Sequence, residues 1–471
     1  MASRRSRGRR SHKGAETRQP ERSVSLISLG CAKNLTLSEE ILGLFGNGGF
    51  AISPEPSMAD IVIVNTCGFI ELARAESDEF ITKLCKLRKV GSIEYLVVYG
   101  CMVQGFGEEM KQRFSEVDLW VGSTAPDKLY SLVKGNNVGT WIPMDWHSSA
   151  GRRAPKLSLT PPSYSYIRVS DGCDNRCAYC SIPRLRGPLR SRQPTAVVKD
   201  VKDAVAQGKS EIILIGQDLA AYGADRGKGG LEKLVDRVTK VKGVQWVRLL
   251  YLHPVNITEG ICRMFAENEL VVPYADVPVQ HLVDSILKRM GRRTTFEDIA
   301  GVFNSLREAR PDIALRTSII TGFPGETDED FELLLERLEI LDPDHVGAFV
   351  YSPEPDTAAF EFEDDVPADV KEARRAKVME DAQKRAFALN IERVGDVYTV
   401  ITDSTAFTED GEVSCCRSEY EAPEVDGLIY VKPVIQPGEF ADVEILAADG
   451  YDLVGRPVSA DPDEPEKLDD H

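Results

Sequence analysis

The chain contains no uninterrupted apolar run approaching the roughly 18–20 residues that a membrane span requires. The arginines near its start are followed by no apolar stretch of the kind a secretory signal carries. These two absences argue against membrane and export classes, and a cytoplasmic protein is expected. The ten cysteines do not suggest a disulfide framework, because three of them fall within eight residues at a metal-site spacing that suits a reducing compartment. Basic side chains are scarce at one end: residues 391–471 hold 21 acidic and five basic groups, within a net charge of −18. The remaining composition, 42% hydrophobic and 28% charged over 471 residues, is that of a globular protein with two to four domains.

Charge also marks the two ends. Residues 1–22 form a basic extension, expected to be disordered and solvated or to serve as a tether for RNA or a ribosomal surface. Residues 459–471 form an acidic, proline-bearing tail.

Between these ends the apolar pattern predicts an α/β multidomain protein. Strands at 24–29, 60–65 and 95–99, with a helix at 38–45, indicate a parallel sheet covered on both faces within an N-terminal domain, 23–146. A polar, proline-rich linker follows at 147–162. Strands at 163–169, 211–215, 247–252, 275–279, 313–320 and 345–351, separated by helices such as 196–207 and 231–241, then suit a partial TIM barrel over 163–391. Its last helix, 368–391, reads as a charged, solvated connector. Short strands at 397–402, 428–431 and 440–446, punctuated by Pro and Gly, predict a small antiparallel β-barrel over 392–458.

The chemistry is concentrated in two cysteine sets. The run DGCDNRCAYCSIP (171–183) supplies Cys173, Cys177 and Cys180, three thiolates in one tight loop after the first barrel strand. A structural zinc would need a fourth ligand, and the following segment offers neither a second CxxC pair nor a histidine pair. A four-iron cluster held by three cysteines keeps one iron open to substrate. The second set is dispersed: Cys31, Cys67 and Cys101 each follow directly on an N-terminal-domain strand. Ligands of open α/β sheets gather beyond the carboxyl ends of strands, so these three can converge. Cys85, Cys262, Cys415 and Cys416 have no matched partners and are expected to be buried.

With both sets placed, the chain resembles the methylthiotransferases of the radical S-adenosylmethionine (SAM) superfamily across residues 24–457. GCAKN (30–34), NTCGFI (65–70) and GCMVQ (100–104) match the first module, although Thr36 and Leu37 stand where relatives usually carry Val and Asp. The resemblance implies a radical SAM partial barrel, a C-terminal TRAM barrel and two 4Fe–4S clusters, one ligated by Cys173, Cys177 and Cys180 and an auxiliary one by Cys31, Cys67 and Cys101. It also implies SAM contacts at Tyr179, at Gly216, Gln217 and Asp218, and at Arg316 and Ser318, with TGFPGE (321–326) as a flanking turn. No side chain is assigned an acid–base role. His253 and His281 are expected to be structural, and 284–293 to be a solvated helix face.

The family divides between enzymes acting on tRNA and one acting on a ribosomal protein. RSEYEAPEVDG (417–427) and GCAKN look like the second branch, and residues 391–456 hold fifteen acidic against four basic groups. A barrel that binds RNA should be basic. The resemblance therefore implies methylthiolation of an aspartate β-carbon in small-subunit ribosomal protein S-twelve. The partners implied are that protein or the ribosome, a low-potential electron donor such as flavodoxin or ferredoxin, and a sulfur donor. A tRNA adenosine methylthiotransferase and a non-catalytic iron–sulfur protein on the ribosome stand as alternatives.

Overall fold

Two of the strands nearest the N-terminus, Ile61–Thr66 and Tyr95–Gly100, are apolar, β-branched and buried along their whole length, which requires cover on both faces. In the computed structural model, which describes residues 22–143, 156–227, 230–409 and 411–458, they form the centre of a parallel sheet. The basic extension before residue 22, most of the expected linker and the acidic tail lie outside the described residues.

This first sheet runs β2-β1-β3-β4-β5-β6, with β1 Ser23–Ser28, β2 Ala51–Ile52, β3 Ile61–Thr66, β4 Tyr95–Gly100, β5 Leu119–Val121 and β6 Gly139–Trp141. On one face pack α1 (Ala32–Asn47) and α4 (Pro126–Lys134), through Ile41, Phe45, Leu129 and Val133. On the other pack α2 (Glu71–Lys89) and α3 (Cys101–Arg113), through Ile81, Leu84, Met102 and Met110. The helix expected at 38–45 is the middle of α1, which begins directly after Cys31.

The second sheet follows chain order: β7 (Tyr164–Arg168), β10 (Glu211–Ile215), β11 (Trp246–Leu249), β12 (Val271–Asp276), β13 (Ala314–Thr321) and β14 (His345–Val350). All its pairings are parallel, and β7 and β14 remain as open edges, so it is a partial barrel. A short pair, β8 (Ser170–Asp171) with β9 (Arg190–Ser191), and α5 (Ile182–Arg186) frame the cysteine loop. The outer cover comprises α6 (Pro194–Ala206), α7 (Leu231–Thr239), α8 (Glu259–Glu267), α9 (Asp284–Arg289), α10 (Phe296–Ala309) and α11 (Asp328–Leu341).

Two expectations change here. The strand expected at 275–279 lies four residues earlier, at β12. Pro273 interrupts it and cannot donate to a neighbour, and the register between β11 and β12 shifts at that point. The connector helix, α12 (Ala368–Glu392), is not a solvated rod: Lys371, Arg374, Val378, Ala382 and Ala386 form a buried stripe against the barrel. Arg374 Nη1 donates to Glu326 Oε1 at 2.8 Å, and Nη2 to Asp328 Oδ1 at 2.6 Å.

The third sheet closes on itself as β15 (Val397–Thr408), β16 (Gly411–Arg417), β17 (Ile429–Val431), β19 (Asp452–Pro457) and β18 (Phe440–Asp449). It is mixed, because β17 and β19 pair in parallel while the other pairings are antiparallel. Closure around Val400, Ile429, Val443 and Ile445 leaves no edge strand. Among the described residues no helix is long and apolar enough to cross a membrane.

The loop 417–427 fills the barrel at the amino-terminal ends of its strands. Arg417 Nη2 and Arg248 Nε both donate to the Glu211 carboxylate, each at 2.7 Å, and all three side chains are fully buried. Arg417 Nε reaches Asp403 Oδ2 at 2.6 Å, and Arg248 Nη1 donates to the Glu419 carbonyl at 2.9 Å. Within the loop, Glu421 accepts from Arg393, from the Ser418 amide at 2.9 Å and from the Ser418 hydroxyl at 2.6 Å. Burial alone would raise the Glu421 pKa, but Arg393 and these donors outweigh it and hold the group at about 2 rather than its ordinary 4.5.

A depressed carboxyl pKa contributes stability that is fully present above about pH 4.5 and lost as pH falls through about 2. Glu421→Gln is expected to destabilise the protein by about 3 kcal/mol at pH 7. In urea unfolding followed by circular dichroism, the difference from wild type should shrink steadily as the pH falls below 4.5.

Candidate functional site

The three dispersed cysteines are brought together by close backbone approach at glycines. Gly30, between β1 and α1, has φ +88°, and a β-carbon there would sit 2.7 Å from Cys67 Cβ and 3.1 Å from its sulfur. Gly68 packs against the Cys101–Met102 backbone, where a β-carbon would approach to 2.7 Å. Asn34 Nδ2 ties the end of β1 to β3 through the Leu29 and Thr66 carbonyls, at 2.9 and 3.1 Å. The Cys67 thiol is pushed up to about 12, chiefly by burial and then by its neighbours Cys101 and Cys31. Cys31 goes the other way. Burial would raise it, but Lys33, Arg186 and two backbone amides outweigh burial and lower it. Cys31 is an exposed residue although Lys33 and Arg186 stand near it, so it borders a gap open to solvent.

Across that gap lies the loop of Cys173, Cys177 and Cys180. Its backbone is fastened by the Ala178 amide donating to the Met290 carbonyl at 2.7 Å, and Gly291, at φ +69°, passes too close to Arg176 O to tolerate a side chain. Burial, followed mainly by neighbouring thiols and carboxylate, raises Cys180 to about 12 and Cys173 to about 11. Arg292 is buried, donates to the Pro278 carbonyl at 2.6 Å and has Nη1 3.9 Å from Cys177 Sγ. The end of the 284–293 run therefore braces the cysteine loop, rather than forming the solvated face expected from its charges.

One side chain reaches from the segment after the second set to the first set. Arg186, at the end of α5, is buried, with Nε donating to Cys101 Sγ at 3.0 Å and Nη2 to Asn34 Oδ1. Ser181 Oγ donates to the Phe69 carbonyl at 3.3 Å, and Arg168 Nη2 to Glu40 Oε1 at 3.3 Å. Arg168 also pairs with Asp171. Each cysteine set thus has one buried guanidinium at a sulfur, an arrangement suited to anionic thiolates.

Among the described residues no three His, Cys, Asp or Glu side chains could hold a single metal ion together. An iron–sulfur cube does not ask for that, since each thiolate takes a different iron of the cluster. Desolvated thiols, a charge partner at each set and glycine-permitted close approach fit such a group in both places.

The six residues expected at SAM lie around the barrel's carboxyl end and interior. Gln217 presents a buried Oε1 without a hydrogen-bond partner, and so does the hydroxyl of Ser170, which packs against Gly216. Two such orphans at one strand end suit a polar ligand. Tyr179 stands edge-on to Phe323 at 6.5 Å. Asp218 is committed to bracing, accepting from Asn175 Nδ2 and Asn256 Nδ2, both at 2.7 Å. Arg316 points into the barrel, 3.2 Å from Asp276 and 3.5 Å from Asp426. Ser318 is half-buried on β13, its carbonyl accepting from the Gln280 amide at 2.8 Å. The 321–326 turn folds onto α12, with Gly322 against Lys371.

His253 is held neutral, lowered to about 2 by burial and then by Arg292 and Arg293, and its Nδ1 accepts from the Val255 amide at 3.3 Å. His281 is buried 3.4 Å from Glu326. Cys85, Cys262, Cys415 and Cys416 are all buried. Arg186, Arg292, Lys33, Tyr251 and Asp276 belong to the site without having been singled out. Their partners are distant in sequence, and the only signals for any of them were GCAKN for Lys33, the 284–293 run for Arg292 and closeness to the cysteine loop for Arg186.

Comparison with known proteins matches the three parts of the chain to three family models. Residues 23–122 match the model described as uncharacterized protein family UPF0004, residues 167–338 the radical SAM superfamily and residues 394–458 the TRAM domain. The chain is 37% identical over 451 residues to ribosomal protein uS12 methylthiotransferase RimO of Acetivibrio thermocellus, covering 93% of this chain and 99% of that protein. It is 39% identical over 448 residues to the protein of the same name from Syntrophotalea carbinolica, covering 93% and 97%. Among solved structures, the radical SAM methyltransferase TsrM of Kitasatospora setae, with tryptophan and a SAM analogue bound, has a similar fold. Its TM-score is 0.55 at 14% identity, over 83% of this chain and 80% of that one.

Gly30→Ala is expected to force Cys67 out of position and to reduce the iron bound after reconstitution by roughly half, because only one of the two cysteine sets is affected. Iron and sulfide assays beside a circular dichroism spectrum check this. Full iron content in a folded variant would contradict it.

Proposed function

The chain belongs to the ribosomal protein uS12 methylthiotransferase family of radical SAM enzymes, and we propose that its two cysteine sets hold two 4Fe–4S clusters that together methylthiolate an aspartate of uS12. The observation that carries this reading is that Arg186, in the helix that follows Cys180, bonds to Cys101 and Asn34 of the other domain. A sulfur-bearing site and a radical-generating site must face one another if one substrate atom is to be served by both.

The division of labour proposed is an N-terminal methylthiotransferase domain at 23–146, a radical SAM domain at 163–391 and a TRAM domain at 392–458, with 147–162 as linker. Cys173, Cys177 and Cys180 ligate the cluster that binds SAM, and Cys31, Cys67 and Cys101 the auxiliary one. A cluster with SAM at its open iron supplies hydrogen-atom removal from an unactivated C–H bond, which no side chain of ordinary pKa can perform. The chain's own groups bind and shield. Gln217 Oε1 and the Ser170 hydroxyl, both unpartnered, accept from or donate to polar atoms of SAM, and Tyr179 flanks its adenine. Arg186 and Arg292 balance thiolate charge. The loop 417–427 closes the far end of the barrel against water.

Two molecules of SAM are consumed per turnover in this reading, one as methyl donor and one for the radical step. A low-potential electron donor such as flavodoxin or ferredoxin and a sulfur donor complete the requirement. The reaction is assigned to the reducing cytoplasm, where ribosomes are found. A protein substrate rather than tRNA is supported by the acidic C-terminal barrel, which repels phosphate and attracts basic protein.

Reduced, reconstituted protein with SAM and a sulfur source is expected to add one methylthio group to uS12, read by mass spectrometry of the digested substrate. Modification of tRNA alone would sink the assignment. Cys31→Ala should still cleave SAM to 5′-deoxyadenosine while modifying nothing, whereas Cys177→Ala should do neither. Retention of methylthiolation by Cys31→Ala would contradict the two-cluster reading.

A further inference from the structure

Lys33 is a cation with no carboxylate in contact, its anionic neighbours being the Cys31 thiol and, further off, Asp276. It lies in the first turn of α1, where the helix dipole already places positive charge. Among the described residues no carboxylate oxygen lies within 4.0 Å of its ammonium and no acceptor bonds to it. The ammonium instead sits 3.0 Å from the centre of the Tyr251 ring. A ring face attracts a cation but accepts none of its three hydrogens in a directed bond as an oxygen would.

The support beneath Lys33 is built. Tyr251 has φ +68°, a left-handed conformation that a bulky residue adopts only under constraint. The constraint is Asp276, whose Oδ2 accepts from the Tyr251 amide at 2.9 Å. The other oxygen of that carboxylate accepts from Arg316 Nη1 at 3.2 Å. Asp276 is therefore engaged on both oxygens by other donors and acts on Lys33 only through space. Arg316 is neutralised in turn by Asp426, 3.5 Å away on its other side. Charges alternate along the barrel interior from Asp426 through Arg316 and Asp276, and the series ends at Lys33 with a positive group facing the gap beside Cys31.

We propose that the Lys33 ammonium receives the side-chain carboxylate of the uS12 acceptor residue and so selects an acidic residue for modification. This rests on the reading that uS12 is the substrate and extends it to the group that recognises the acceptor. The placement is suited to the reaction. Lys33 lies over Tyr251, which follows strand β11, and two residues from Cys31, so a carboxylate held there lies beside the first cysteine set. A neutral acceptor such as asparagine would leave the ammonium unpaired, and an uncompensated buried charge is what makes such a site selective.

The competing role for Lys33 is to balance thiolate charge alone, and binding measurements separate the two. Reconstituted wild type, Lys33→Met and Lys33→Arg would be titrated with fluorescently labelled uS12 carrying either aspartate or asparagine at the modified position, read by anisotropy. Wild type is expected to favour the aspartate form by roughly 10- to 100-fold, the range for a charge-assisted hydrogen bond. Lys33→Met should lose that preference by weakening the aspartate form alone, the proteins being compared at matched iron content. Lys33→Arg, which keeps the charge, should retain the preference for aspartate. Equal binding of the aspartate form by wild type and Lys33→Met, or equal weakening of both forms, overturns the proposal. If wild type methylthiolates uS12 while Lys33→Met keeps the preference, only this assignment falls. If wild type neither binds nor modifies uS12, the substrate reading falls and takes this assignment with it.

Discussion

The contact on which the rest of the structure depends is that of the buried Arg186 guanidinium with Cys101 Sγ and Asn34 Oδ1. One cysteine set is carried by the first sheet and the other by a loop of the second, so nothing in either sheet alone fixes their separation. Arg186 does so with a rigid, permanently charged fork, which a lysine could not replace. Its own charge is offset first by Cys101 and then by Asp171, so the guanidinium is stable only where both domains are present. Glu354 adds a second fastening, accepting from the Glu71 amide at 2.9 Å and pairing with Arg74. The gap between the sets is thus defined by charged hydrogen bonds across the domain boundary.

The opposite end of the barrel is treated differently. There Glu211 opens β10 and Arg248 lies within β11, both fully buried, and an open end would flood them with water. The 417–427 loop satisfies these groups from the TRAM side, because Arg417 shares Glu211 with Arg248. Breaking such a network by removing one member costs about 3–5 kcal/mol, since the others stay buried and charged. The loop also delivers Asp426 to Arg316, so the TRAM barrel reaches through the interior to groups next to Asp276 and Tyr251. A domain distant from the cysteines in sequence therefore helps hold the floor of the site.

What could be read in advance follows from the range of the forces involved. Cys31, Cys67 and Cys101 were legible because β-branched runs mark strands locally, and a cysteine after each strand must lie on one edge of a parallel sheet. The CxxxCxxC loop was legible from spacing alone. The strand at β12 was misplaced because Pro273 argues against a strand interior, while the apolar residues after it look more strand-like than they are. Arg186, Arg292 and Lys33 were not separable from surface charge, since their partners come from other elements. Asp218 shows the reverse: its position beside Gly216 and Gln217 suggested a ligand contact, yet its carboxylate accepts from Asn175 and Asn256. For 417–427 a resemblance could be noted, but its work as a barrel plug depends on Glu211, about two hundred residues away.

The C-terminal barrel's charge becomes more telling once the ion pairs are placed. Counted along the chain, its basic groups are Arg393, Arg417, Lys432 and Arg456. Arg417 is fully buried against Glu211 and Asp403, and Arg393 is turned inward onto Glu421 and Ser418. Arg456 lies outside but is engaged 2.9 Å from Glu444. The exterior meanwhile keeps Glu392, Asp396, Glu409, Glu412, Glu439, Asp442 and Asp449 exposed. Burial has thus removed more of the positive charge than of the negative, and the surface offered to a partner is more one-sided than the composition. An RNA backbone approaching it would lose the counterion release that drives such binding and would meet repulsion instead. A basic protein gains on both counts, with attraction that steers encounter before any specific contact forms. Beyond the TRAM label, which says only what fold this barrel has, the distribution of its ion pairs favours a protein partner.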